Sequence, residues 1–128
     1  NFSDADLRYS DLPDSDLSNA DLSDTNFSDT NLSGSDLSGV DLSGANLSGA
    51  GLCSVDFSDA DLSSADLTSA NLLGADLSDA NLSNATLCDA NVATTILRGT
   101  TILDNNREET YATKQTLHDR GAIIYPSQ

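Results

Sequence analysis

From Phe2 to Leu97 every fifth residue is apolar: sixteen Leu, with Phe2, Phe27, Phe57 and Val92 completing the series of twenty. A period of five is neither the 3.6 of an amphipathic helix nor the 2 of a flat strand, so neither element alone accounts for it. Something must reset the alternation once per cycle. Residues 40–50 show the cycle clearly: Val40, then DLSGA from Asp41 to Ala45, then NLSGA from Asn46 to Ala50. We call the Leu or Phe position the centre. Two residues before it runs a second small or apolar series that includes Ala5, Ala20, Val40, Ala45, Val55, Ala60 and Ala90, with Ser or Thr as the minority. Positions two apart on an extended chain face the same way, so both point inward. The two residues after the centre are mostly Ser followed by Asp, Gly, Asn or Ser, which is turn chemistry. Each cycle is therefore a short extended side followed by a corner.

A chain that turns after every five residues must wind up, and a fixed self-similar period marks a solenoid whose units bury their faces against neighbours. With the alternation A-[DN]-L-x-x repeated from Asn1 to Gly99 without insertion, the sequence resembles the pentapeptide repeat family. Departures fall at Gly51, Thr86 and Ile96 before the centre, Val92 at it and Leu73 after it, and none breaks the register. The resemblance implies an all-β, right-handed, four-sided β-solenoid of about twenty residues per coil and about five coils, with Leu7, Phe27, Leu47, Phe57, Leu67 and Leu87 among the core centres. Four sides also fit the charges: residues 30–34, 50–54, 70–74 and 90–94 carry none, a spacing of twenty.

The solenoid is expected over residues 1–103. Beyond it, Asn105 with Glu108 resembles a capping box, Arg107 to His118 is helix-tolerant, Gly121 suits a helix C-cap, and residues 122–125 read as a short strand before Pro126. Residues 104–128 are thus expected to close the C-terminal end of the Leu column. The N-terminal end has no such segment, since Phe2 and Leu7 are already in register. Because the chain lacks Met, it is expected to be an excised or processed piece, and homodimerisation through an end or a neutral face is an expectation.

The net charge is −16. Through Leu103 there are seventeen Asp against Arg8 and Arg98, giving −15, and the remaining four acids and three bases give −1. Over a rod of roughly 24 Å this is one charge per about 1.6 Å, against about 1.7 Å in duplex DNA. Such a rod repels nucleic acid and suits a basic surface on a protein partner. In the four-sided arrangement one side carries Asp16, Asp36, Asp56, Asp59, Asp76 and Asp79, and its neighbour Asp4, Asp21, Asp24, Asp41 and Asp61. A neutral side places Ser33, Cys53, Leu73 and Ala93 in one outward column, a candidate contact stripe.

Catalysis finds no support. His118 is the one His, no Cys/His cluster has metal spacing, and the Ser residues after the centres lack an adjacent base. The glycines read as corners and not as a phosphate loop, and the calcium β-roll nonapeptide is missing. The six Asn-x-Ser/Thr sequons follow automatically from Asn before and Ser after a centre. No cofactor, metal or membrane-spanning segment is expected. The reading is a non-catalytic solenoid that presents rigid acidic faces to a protein partner. The alternative rests on the resemblance: some pentapeptide repeat proteins act as DNA mimics that occupy a type II topoisomerase and protect gyrase from quinolones. The resemblance also points to a bacterial source, cytoplasmic, periplasmic or in a thylakoid lumen.

Cys53 and Cys88 follow centres on adjacent sides, 35 residues apart. That puts them roughly 8 Å apart along the axis, beyond disulfide reach. A thiol count on denatured, unreduced protein is expected to return two.

Overall fold

The computed structural model describes residues 1–104 and 117–126. Its backbone is organised by four ladders of parallel bridges, each joining residues twenty apart. One runs Asp6, Asn26, Asn46, Asp66, Thr86; the next Asp11, Asn31, Gly51, Asn71, Asn91; the third Asp16, Asp36, Asp56, Asp76, Ile96; and the fourth Asp21, Asp41, Asp61, Asn81, Thr101. The rungs are the residues just before the centres, and four consecutive cycles make one circuit of the β-solenoid.

Each cycle makes its interstrand bonds in both directions along the axis. The Leu47 N–H donates to the Asp66 carbonyl in the next coil at 2.7 Å, and the Asn46 N–H donates to the Thr25 carbonyl in the preceding one at 3.0 Å. The corner is closed by a third bond, from the Ala50 N–H to the Leu47 carbonyl at 3.1 Å. That four-residue turn needs a left-handed residue at its third position. All twenty such positions have positive φ: fourteen non-glycines between 53° and 61°, and Gly34, Gly39, Gly44, Gly49, Gly74 and Gly99. Asp, Asn and Gly tolerate this region best, whereas Tyr9 and Thr94 occupy it against their preference. Gly51, expected just before its centre, is accordingly a rung of the second ladder, and the other solenoid glycines sit at corners.

Inside, the centres form a continuous column. Phe27, Leu47, Phe57, Leu67 and Leu87 are buried, as are the alanines two residues before most centres. Leu7 is a correction: it is only half-buried, because among the described residues a coil packs against it from one side alone, and Phe2 is 58% exposed. Where Ser or Thr replaces the inward Ala, the buried hydroxyl donates to the centre carbonyl of the preceding coil. Thr25 bonds Phe2, Thr30 bonds Leu7, Ser35 bonds Leu12, Thr95 bonds Leu72 and Thr100 bonds Leu77, at 2.6–3.0 Å. Four of those carbonyls also accept the corner N–H, and a second lone pair remains for the hydroxyl; the Leu12 carbonyl instead takes the Ser15 hydroxyl at 2.9 Å, while the Ser15 N–H donates to the Ser35 Oγ at 3.1 Å.

At the C-terminal end, β1 (Thr101–Asp104) pairs in parallel with β2 (Ile123–Pro126), with Thr101 opposite Ile123. The strand therefore starts one residue later than expected and includes Pro126, which an edge position tolerates because no N–H is needed there. The expected capping box at Asn105 and Glu108, and the helix up to residue 116, lie outside the described residues. Residues 117–119 are helical. They end on Gly121, whose φ is 95°: its N–H donates to the His118 carbonyl, and the Ala122 N–H reaches the Leu117 carbonyl. This is a Schellman ending, and its accompanying apolar contact is supplied by Leu117 and Ala122, both buried.

Truncating Phe57 to Ala removes a fully buried ring from the column. We expect a loss of about 3–5 kcal/mol in urea unfolding. Thr100→Val, which keeps the shape and deletes one buried hydroxyl, is expected to cost about 1 kcal/mol.

Candidate interaction faces

The side chains on the ladders are held by one repeated device. The Oδ1 of the rung residue accepts the backbone N–H two residues on and, where that residue is Ser, usually its hydroxyl as well. Asp36 Oδ1 takes the Ser38 N–H at 2.9 Å and the Ser38 hydroxyl at 2.7 Å. Asp16 with Ser18, Asp41 with Ser43, Asp56 with Ser58 and Asp76 with Ser78 repeat both bonds. Asp61 takes the Ser63 N–H at 2.9 Å. These Asx turns pre-form the corner that follows. The sequence marks the Ser positions as turn chemistry only; that their hydroxyls fix the carboxylates was not anticipated.

Asn does the same job. Asn46 Oδ1 accepts the Ser48 N–H at 3.0 Å and its hydroxyl at 2.7 Å, lengths equal to those of Asp41 and Ser43. Asn also adds something that Asp cannot. Its amide reaches along the ladder to the neighbouring rung, as Asn31 does to Asp11, Asn81 to Asp61 and Asn91 to Asn71 at 2.8–3.2 Å. The third ladder forgoes this donor entirely: Asp16, Asp36, Asp56 and Asp76 follow one another at the spacing of stacked strands, about 4.8 Å.

The structure thus brings Asp16, Asp36, Asp56 and Asp76 together as one line, and Asp21, Asp41 and Asp61 as a parallel line on the next face. The other acids of these faces sit at corners. Asp59 and Asp79 occupy successive left-handed positions, as do Asp4 and Asp24. Corner acids pack along the axis, because a methyl group added at Gly44 would strike the Asp24 carboxylate, and one at Gly99 the Asp79 carboxylate. Gly in the next coil therefore makes room for the Asp above it. On the neutral face, Ser33, Cys53, Leu73 and Ala93 do follow one another outward from the second ladder, and Leu73 is 43% exposed. No disulfide joins Cys53 and Cys88.

Two of these carboxyls are displaced from the ordinary carboxylate range. The Ser38 hydroxyl, followed by its N–H, holds Asp36 below the usual value, and Ser23 does the same for Asp21, where Asn1 adds a bond of 2.6 Å. Asp6, at the N-terminal end, is lowered by the Arg8 guanidinium, which it holds at 2.7 Å. Among the described residues no cluster of His, Cys, Asp and Glu has the form of a metal site, and no helix is long and apolar enough to cross a membrane.

Against known families, residues 1–39, 35–72 and 56–92 match the family described as Pentapeptide repeats (8 copies). The chain belongs to the pentapeptide repeat family. Solved members of the family resemble it along most of its length. A pentapeptide repeat protein from the Arabidopsis thaliana thylakoid lumen superposes with a TM-score of 0.84 at 27% identity, over 91% of this chain and 81% of its own. One from Nostoc PCC 7120 has a TM-score of 0.56 at 36% identity, covering 88% and 84%. Rfr23 from the cyanobacterium Cyanothece 51142 gives 0.52 at 30%, covering 79% and 86%. A search of curated proteins returns no match.

Asp36 provides the test of the clamp. Its folded value is depressed, so the stability it contributes is present above the unfolded carboxylate value and is lost as pH falls through the folded one. In a carbon-detected NMR titration Asp36 is expected to titrate below an unstructured Asp. Ser38→Ala is expected to move it upward, stopping short of the free value because the residue 38 N–H remains.

Proposed function

We propose that this protein is a non-catalytic interaction solenoid whose third and fourth faces present fixed lines of carboxylates to a basic surface on a partner protein. One observation carries the reading. Asn satisfies the rung position as well as Asp does, with equal bonds to the following Ser and an extra amide bond along the ladder. Charge is therefore surplus to the fold at Asp16, Asp36, Asp56 and Asp76, and like charges stacked one strand apart oppose it. Only Oδ1 is used in the clamp, which leaves Oδ2 available to a partner's Lys or Arg. The sides are preorganised, so little entropy is lost on binding. We place the contact here in preference to the neutral stripe. The neutral stripe is a single face roughly 24 Å long and one strand wide, well short of the roughly 800 Å² per partner of a stable interface, whereas the carboxylate lines span two adjacent faces.

A second reading, supported by the same lines of charge, is that the basic surface belongs to a DNA-binding protein, in particular a type II topoisomerase, with the solenoid standing in for duplex DNA. Regular carboxylates at about 4.8 Å on two adjacent faces, within a rod whose charge per length is close to that of DNA, favour it.

Replacing Asp16, Asp36, Asp56 and Asp76 together by Asn separates fold from function. The variant is expected to melt at or above the temperature of the parent and to lose most of its salt-sensitive binding to poly-lysine. A drop in melting temperature would show that the carboxylates serve the fold, and unchanged binding would remove the proposed face. Gyrase supercoiling titrated at two salt concentrations distinguishes the second reading. Inhibition at micromolar protein that weakens with salt supports DNA mimicry, and its absence at tens of micromolar leaves a different basic partner.

A further inference from the structure

Both carboxylate lines change character toward the same end of the rod. The third ladder runs through Asp16, Asp36, Asp56 and Asp76 and then reaches Ile96. The fourth passes from Asp21, Asp41 and Asp61 through Asn81 and Thr101, and β2 adds Ile123 opposite Thr101 as a further rung. Ile96 is 50% exposed, Ile123 47% and Tyr125 49%. Ala122 is buried, so alternation along β2 turns Ile123 and Tyr125 outward together. Charge stops where these residues begin: from residue 80 to 103 the sequence holds one acid, Asp89 on the first side, and one base, Arg98. The fold gains little from the apolar rung at Ile96. Asp76 accepts the Ser78 N–H at 2.9 Å, whereas Ile96 has no acceptor and gives the Arg98 N–H no corresponding bond. Its side chain also stands half in water, outside the column of centres.

Charge selects the occupant of these two faces, and the apolar residues select its direction. A uniformly basic surface meets a line of equally spaced carboxylates as well in one direction as in the other, and as well after a shift of one strand. A basic surface with apolar side chains at one end matches only one placement, because reversing it sets Lys or Arg on Ile96 and apolar groups on Asp16. A second copy of this chain would set carboxylates against carboxylates along the same faces. We propose that Ile96, Ile123 and Tyr125 form the apolar terminus of the docking face, and that the partner is a protein whose basic surface ends in exposed apolar side chains, which fix its direction and register along the rod. This inference rests on the reading of the third and fourth faces given above.

Two ten-residue probes test it, eight Lys followed by two Leu and eight Lys followed by two Ser. Each is titrated into the natural full-length polypeptide, with affinity taken from calorimetry and contact followed by NMR at the Ile methyl groups. The Leu-ended probe is expected to bind at least fivefold more tightly and to shift the methyls of Ile96 and Ile123, which the Ser-ended probe leaves in place. Ile96→Asn supplies the rung oxygen, and Ile123→Thr keeps a β-branched residue on β2. Combined, they are expected to melt close to the parent and to bring the Leu-ended probe down to the affinity of the Ser-ended one. If that variant fails to fold, the affinities and methyl shifts of the parent still decide. Equal binding of the two probes by the parent, or a preference for Leu that survives in the double variant, would overturn the inference. So would Ile96 and Ile123 methyls already screened from a dissolved paramagnetic agent before a probe is added, which marks a second copy or the polypeptide's own chain as their cover. The reading beneath it fails separately, when the variant with Asn at positions 16, 36, 56 and 76 binds the Ser-ended probe as tightly as the parent does.

Discussion

Everything in this solenoid depends on a left-handed residue recurring at every fifth position. The apolar period gives each cycle two inward side chains, but it does not turn the chain; the corner does. Left-handed backbone costs an L-residue about 1–2 kcal/mol, and the chain meets that cost at twenty sites. Six are relieved by Gly and many of the others by Asp or Asn. At Tyr9 and Thr94 local preference is overruled outright, because backbone bonds to neighbouring coils and across the corner, such as those of the Tyr9 N–H to Ser28 and the Thr95 N–H to Val92, fix the cycle.

The rung side chains show how shape and charge have been separated. An oxygen at Oδ1 is what the corner requires, and Asp36 and Asn46 supply it with nearly the same geometry. What distinguishes the faces is therefore the second atom of the side chain: an amide that binds along the ladder or a carboxylate oxygen that does not. The first and second ladders mix the two, and the third uses carboxylates alone until Ile96. A surface assembled in this way is set by substitutions that leave the backbone hydrogen bonds untouched.

Much of this was legible in the residues. The Leu and Phe centres, the inward Ala series, the twenty-residue return hinted at by the uncharged cycles at 30–34, 50–54, 70–74 and 90–94, and the gathering of acids onto two adjacent sides all follow from spacing. Other features depend on contacts between coils, which a pattern within one cycle does not encode. Thr95 reads as an exception to the Ala series until its hydroxyl is seen on the Leu72 carbonyl, 23 residues back. Gly51, a departure just before its centre, keeps its place on the second ladder through backbone bonds alone, with no side chain to clamp the corner. Leu7 is a centre with an inward Ala two residues before it, as Leu47 is, yet among the described residues only Leu47 is packed from both sides.

The buried hydroxyls are distributed unevenly along the axis. Thr25, Thr30 and Ser35 tie the second coil to the first, Thr95 and Thr100 tie the last coils together, and Val or Ala fills the inward positions between. A stack in which each coil touches only its neighbours comes apart by peeling from its ends. At a joint with a buried hydroxyl, separating the coils breaks a bond that an Ala or Val joint does not have. The joints of the column are therefore unequal: a Thr or Ser at the inward position ties two coils by a directed side-chain bond, where Ala or Val leaves them joined by apolar contact and the backbone ladders alone.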